Sequence, residues 1–207
     1  QMSLGVEKDI IQVIRSKDEE CMDILKNSLK DGGCAGIILN TVARAQDFAQ
    51  KISECFPECE MIQMHSQFII SDRAEIEREI LKRAGKNSTP EQRNKLIIVG
   101  TQVLEQSLDI DFDVMITDLC PMDLLLQRIG REHRHKGRKR PLCLQKAKCY
   151  VLTETRVVYD KWLLQRTADK LPEHFCLPDD IPVYVQDVYA EPEECEKNEL
   201  WHRYDTN

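Results

Sequence analysis

The chain has no run of about eighteen apolar residues, the length a helix needs to cross a bilayer. Its opening, residues 1–5, carries no signal-peptide core. Neither a membrane span nor export is expected. No CxxC pair occurs among the nine cysteines at 21, 34, 55, 59, 120, 143, 149, 176 and 195. An odd, scattered set suits packed thiols in a reducing cytoplasm better than a disulfide framework or a zinc site. The chain also lacks a GxxxxGKS or GxxxxGKT phosphate loop and the acidic magnesium-binding box that accompanies one. None of the five histidines, at 65, 133, 135, 174 and 202, is followed by Asp. These residues alone therefore make neither a self-sufficient P-loop ATPase nor a metal-dependent nuclease.

What is present is enough for one full core: 207 residues, 42% of them hydrophobic. Short runs rich in Ile and Val, at 10–14, 36–40, 61–65, 96–101, 114–118 and 150–153, alternate with stretches of helical period. "GIILN", "KLIIVGT" and "DVMITDL" are apolar on both faces, as parallel strands between helix layers must be. Cys21, Ile24, Leu25 and Leu29 recur at helical spacing before Gly32 and Gly33. Val42, Ala45, Phe48, Ala49 and Ile52 do the same before Pro57. The pattern predicts an α/β fold with an open, mostly parallel sheet flanked by helices. In such sheets ligands gather at the carboxyl ends of the strands.

Polar residues stand at those ends. Asn40 and Thr41 follow "GIIL", His65 and Ser66 follow "MIQM", and Thr101 follows "LIIVG". Asn and Thr are good helix N-caps, but the free N–H groups of a helix start also bind phosphate oxygens. A single strand-end histidine is more often structural than functional. Three such ends on one edge favour an anionic ligand.

Thr101, Glu105, Ser107 and Asp109 lie in "TQVLEQSLDID", a polar loop between two buried strands. In "MDLLLQRIGREHRHKGRKRP", Gln127, Arg131 and Arg134 are spaced by four and three, so a helix continuing to position 134 would bring them to one face. A solvated basic face is the ordinary reading of such a run. Convergent guanidinium groups opposite an apolar stripe at Leu125 and Ile129 point instead to phosphate, which the planar fork of Arg suits. The formal net charge is −7, yet seven Lys or Arg lie between 128 and 140, while 187–205 holds seven acidic residues. That polarity implies a local phosphate site, not a surface that binds nucleic acid everywhere. The "KGRKR" run at 136–140 fits either an extension toward nucleic acid or a solvated loop, and the acidic tail reads as a solvated end.

Four of these stretches carry a resemblance. "IILNTVARA", "HSQFIISDRAEIE", "GTQVLEQSLDIDFD" and "LLQRIGREHRH" resemble motif IV, a His-Ser segment, motif V and motif VI of the second RecA-like domain of superfamily 2 helicases. The similarity is greatest to the helicase-nuclease recruited in type I CRISPR interference. It implies that residues 1–156 form motor domain 2, and that 157–207 form a helical linker with an acidic tail leading toward a C-terminal domain. It further implies that Gln127, Arg131 and Arg134 face ATP with Mg2+ in a cleft shared with a first RecA-like domain of the same parent chain. Arg131 and Arg134 are then candidates for an arginine finger, and Ser107 and Asp109 border the nucleotide. Asn40, Thr41 and Thr101 would touch the backbone of single-stranded DNA, with His65 and Ser66 shaping the same track. The parent would act with a CRISPR surveillance complex in antiviral defence, and this half alone would be inactive. Two departures stand out: Gln67 where the family commonly has Arg, and Glu132 where it usually has an apolar residue. An RNA helicase of the same superfamily, or a non-catalytic module that binds nucleic acid or a partner, are the alternatives.

Overall fold

The computed structural model describes residues 9–106, 109–154 and 158–206. Seven strands form one sheet: β1 (Asp9–Ser16), β2 (Cys34–Ile38), β3 (Glu60–Met64), β4 (Leu96–Gly100), β5 (Val114–Asp118), β6 (Ala147–Leu152) and β7 (His174–Leu177). Their spatial order is β3-β4-β2-β5-β6-β1-β7. All neighbours pair in parallel except β7, which runs antiparallel along β1. The expected open parallel sheet is therefore present. The 157–207 segment, expected to be helical, supplies an edge strand as well.

Helices cover both faces: α1 (Cys21–Ser28), α2 (Val42–Cys55), α3 (Ile70–Ala84), α4 (Val103–Gln106), α5 (Met122–Ile129), α6 (Lys161–Lys170), α7 (Asp180–Tyr189) and α8 (Glu199–Asp205). Because strand side chains alternate between faces, Ala35, Ile37, Ile97, Val99 and Ile116 pack against α1 and α2. Ile38, Leu96, Ile98 and Met115 pack on the other side, toward α3, α5, α6 and α7. β2, β4 and β5 are buried along their whole length, which is why they read as unbroken apolar runs.

Local signals set the helix ends. Thr41 caps α2 by accepting from the Arg44 N–H, and Ala45, Phe48, Ala49 and Ile52 form its buried stripe. Asp160 caps α6 in the same way. One glycine fixes a long-range contact: a Cβ on Gly36 would lie 2.4 Å from the Phe112 ring. Only Gly lets the segment before β5 cross β2 this closely. No described helix is long and apolar enough to cross a membrane.

Candidate nucleotide and nucleic-acid site

β3, β4 and β2 are neighbours in the sheet, so their carboxyl ends set His65, Thr101 and Asn40 in a row about 5 Å apart from strand to strand. Backbone bonds fix the row: Thr101 N–H donates to Met64 O at 3.3 Å and Leu39 N–H to Gly100 O at 2.9 Å. Thr101 is 0% exposed and its hydroxyl has no partner. His65 is 5% exposed, its Nδ1 has no partner, and its ring stacks on Phe68 at 4.3 Å. Burial lowers its pKa, which favours the neutral ring. Ser66 is exposed beside it, and Thr41 is partly exposed while its hydroxyl serves as cap. A cavity of about 350 Å³ opens here, lined in part by Asn40, Thr41, Arg44, Lys51 and Asp118.

Asn40 itself is committed to the interior. Its N–H donates to Asp118 at 2.9 Å, its Nδ2 donates to Leu119 O at 2.9 Å, and its Oδ1 accepts from Arg128 at 3.0 Å. The structure thus places it as a tie between segments and not as an open surface contact. Arg44 is similarly held between Asp18 and Asp118.

The sequence reading passed over Arg128, which ties the segments of the site together. It is fully buried on α5. Nε donates to Glu105 Oε2 at 2.8 Å, and Nη1 to Asn40 Oδ1 at 3.0 Å and Thr117 Oγ1 at 3.1 Å. Burial works against its charge, but neighbours that include the Glu105 carboxylate outweigh that and raise its pKa. One guanidinium therefore joins the motif IV, V and VI segments. The signal was available, since position 128 lies three residues after Leu125, on the buried side of the helix.

The expected continuation of α5 to Arg134 is overturned. The helix ends at Ile129, with Gly130 as its C-cap. Beyond it the chain pairs with the strand lead-in: Phe112 N–H donates to Arg131 O, and His133 N–H to Phe112 O, both at 2.9 Å. These bonds outweigh helix propagation through a glycine, a poor helix former. His133 accordingly takes φ 48°, a conformation that His adopts more readily than most residues. Gln127 remains exposed on the helix, so it does not share a helical face with Arg131 and Arg134.

The turn nevertheless brings the two arginines onto one partner segment. Arg131 Nη2 donates to Glu105 O at 2.8 Å, and Arg134 Nε to Asp109 Oδ1 at 2.7 Å. Arg131 is partly buried, and its pKa is lowered first by that burial and next by the Arg134 charge. The Arg134 and Asp109 side chains are 41% and 49% exposed, so water screens their pairing. Asp109 also faces His135 at 3.3 Å. Ser107 lies outside the described residues.

Residues 31–137, just over half of the chain, match the family described as CRISPR-associated nuclease/helicase Cas3, C-terminal. The chain belongs to that family. It is 47% identical over 192 residues to the CRISPR-associated nuclease/helicase Cas3 of Streptococcus thermophilus, covering 88% of this chain and 20% of the relative. It resembles the crystal structure of T. fusca Cas3-AMPPNP at 31% identity and a TM-score of 0.85, over 95% of this chain and 25% of that one. A chain of a CRISPR RNA-guided surveillance complex, pre-nicking, matches at 30% identity and a TM-score of 0.83, over 96% and 27%. The chain thus spans about a fifth to a quarter of these proteins.

Two features of this Cas3-family domain lie off the strand-end row. Glu132, already anomalous in sequence, is buried in a bridge with Phe112. The Lys148 N–H approaches it, but neither carboxylate oxygen completes a hydrogen bond. Burial pushes its pKa well up, and the Arg140 charge offsets this only in part. Two of the four basic residues of the "KGRKR" run are structural. Arg138 donates to the carbonyls of Ser88, Lys86 and Gly85 at 2.7 to 2.9 Å, and Arg140 pairs with Asp111 at 2.8 Å and Asp113 at 2.5 Å. Lys136 and Lys139 keep exposed side chains. Among the described residues no three His, Cys, Asp or Glu side chains converge as metal ligands.

Proposed function

We propose that the chain is the second motor domain of an ATP-dependent translocase that acts on single-stranded DNA in CRISPR interference. A first RecA-like domain of the same parent supplies the other wall of its ATP site. The observation that carries this reading is the course of one segment. It leaves the strand-end row at Thr101, offers the Glu105 carbonyl to Arg131, and reaches Arg134 through Asp109. On this reading a displacement at one end would be carried to the other, as coupling ATP to movement along a strand requires.

The residues fit one wall of a triphosphate site. Arg134 is held by a half-exposed carboxylate that contributes little stability, so it can exchange Asp109 for a phosphate at small cost. Arg131, whose Nη2 donates to the Glu105 carbonyl, carries a planar guanidinium of the kind that suits the equatorial oxygens of a transferring phosphoryl group. The other half would hold Mg2+, which would supply charge neutralisation to the phosphates. On this side of the cleft, Arg131 and Arg134 orient the phosphates and stabilise developing negative charge once closure brings them near. Asp109 borders the nucleotide by positioning Arg134. Ser107 and Gln127 are assigned to the same nucleotide by the motif V and motif VI resemblance of their segments.

At the strand ends, the hydroxyls of Thr101, Thr41 and Ser66, with the free N–H groups at the start of α2, meet the DNA backbone. Asn40 and His65 set that row in place. Residues 1–156 act as the motor and 157–207 lead toward a further domain, and the parent works with a CRISPR surveillance complex. In the parent protein, Arg131→Ala should lower ATP turnover by about 10³-fold or more with little loss of nucleotide binding, and Lys there should rescue little. A variant that turns over ATP at nearly the native rate would remove Arg131 from this role.

A further inference from the structure

α3 starts in an unusual way. Its N-cap residue is Ile69, which offers no side-chain cap, where Ser, Thr, Asp or Asn is strongly preferred. Ile69 is 64% exposed and the next residue, Ile70, 86%. Only Ile80 and Ala84, toward the far end of α3, are buried. The apolar pair therefore contributes nothing to this chain's core. Single exposed apolar residues are ordinary on protein surfaces. Two adjacent ones that also displace a helix cap need another reason.

Their place suggests it. Phe68, immediately before them, stacks on His65 at 4.3 Å. His65 ends β3, the edge strand beside β4, and the Thr101 N–H bonds to Met64 O across that edge. The apolar residues thus continue the row of strand-end polar groups outward past the sheet. On the same edge, two buried polar atoms lack partners among the described residues, His65 Nδ1 and the Thr101 hydroxyl. An apolar tip beside unsatisfied polar atoms matches a nucleotide, which has a flat apolar base and a polar backbone, better than it matches a uniformly apolar protein surface.

We propose that Phe68, Ile69 and Ile70 form a tip that packs against the bases of the strand whose backbone lies along Thr41, Thr101 and Ser66. This rests on the reading of that edge as a nucleic-acid track. Apolar side chains of this kind wedge against or between bases, and because every base presents a π-face the contact is tolerant of sequence. The backbone groups set where the strand lies, and the tip holds a base in place as the strand passes.

The test is binding of the 207-residue chain to a fluorescent oligothymidylate and to an abasic strand of the same length, followed by anisotropy. The native chain should prefer the base-bearing strand by about five- to tenfold, the low end of what base contacts contribute. The double variant Ile69→Ser, Ile70→Ser should abolish that preference while leaving abasic binding and its salt slope unchanged. Its melting temperature should not fall, because both side chains are exposed and Ser is the better cap. Equal native affinity for the two strands, or an equal loss on both in the variant, overturns the proposal. Binding to neither strand by the native chain overturns the nucleic-acid track itself and the tip with it.

Discussion

The two ends of the parallel strands treat most polar groups differently, with buried Glu132 the exception at the amino ends. At the amino ends, Asp111 and Asp113 are enclosed by Arg93, Arg138 and Arg140, at 2.5 to 3.6 Å. Asp113 also accepts from the Cys34 N–H at 2.7 Å. A cavity of about 510 Å³ opens there, and Arg93, Asp113 and Arg140 of its lining pair with one another. At the carboxyl ends, Thr101 and His65 are as deeply buried yet keep polar atoms without partners. A buried polar group costs stability unless it is bonded, so the first arrangement holds the fold and the second is tolerated for something else. The same contrast divides the arginines. Arg128 and Arg140 bond to buried carboxylates, whereas Arg134 bonds to a half-exposed one.

Replacing Asp111 with Ala should break the closed end most severely. Removing one partner of a buried ion network leaves uncompensated charge and typically costs about 3–5 kcal/mol, which in a domain of this size lowers the melting temperature by on the order of 10 °C. Calorimetry or circular dichroism reads this, and a loss near zero would erase the distinction between the two ends. The pH dependence has a definite sign. Burial alone would raise the Asp111 pKa, but the Arg140 bonds and charge outweigh it and hold the carboxyl below its ordinary value. Its share of stability is therefore intact above about pH 4 and disappears as pH falls through the lower folded pKa.

Glu132 has the opposite sign. Its folded pKa is raised, so the folded state binds the proton more tightly, and stability declines as pH rises from about 4.3 toward the folded value. Glu132→Leu should remove this penalty. The expected gain is about 1–4 kcal/mol, as when buried ionic groups give way to apolar ones, and it should be larger at pH 8 than at pH 5. A variant less stable than native at both would mean that the carboxylate has a partner that matters.

The smallest effect is expected at the open end. Thr101→Val removes an unsatisfied hydroxyl, so stability should change by less than about 1 kcal/mol in either direction, while affinity for single-stranded DNA falls. A large destabilisation would show that Thr101 belongs to the fold after all.

Much of this was legible in sequence. The 114–118 run coincides with β5, and the runs for β2 and β4 fall within a residue or two of the strands, because central strands buried on both faces leave unbroken apolar runs; the run at the edge strand β3 is also within one residue. β7 was not foreseen: "HFCL" is short, and an antiparallel edge strand leaves no such run. The site was legible in composition more than in geometry. Spacing alone extended α5 through Gly130, where pairing with Phe112 ends it. Asn40 looked like a contact because nothing in its own neighbourhood announces Arg128, 88 residues away. Long-range polar ties of this kind are invisible to local pattern.

The central claim is that these residues are one wall of a shared ATP site, and phosphate release by the purified 207-residue chain tests it most directly. With ATP, Mg2+ and single-stranded DNA present, the chain alone should show no turnover, because guanidinium groups open to solvent do not replace a phosphate loop and its lysine. Adding the separately expressed first motor domain should restore a low rate, limited by the loss of the tether that sets their effective concentration. Turnover by the chain alone, abolished by Arg131→Ala so that a contaminant is ruled out, would contradict the account.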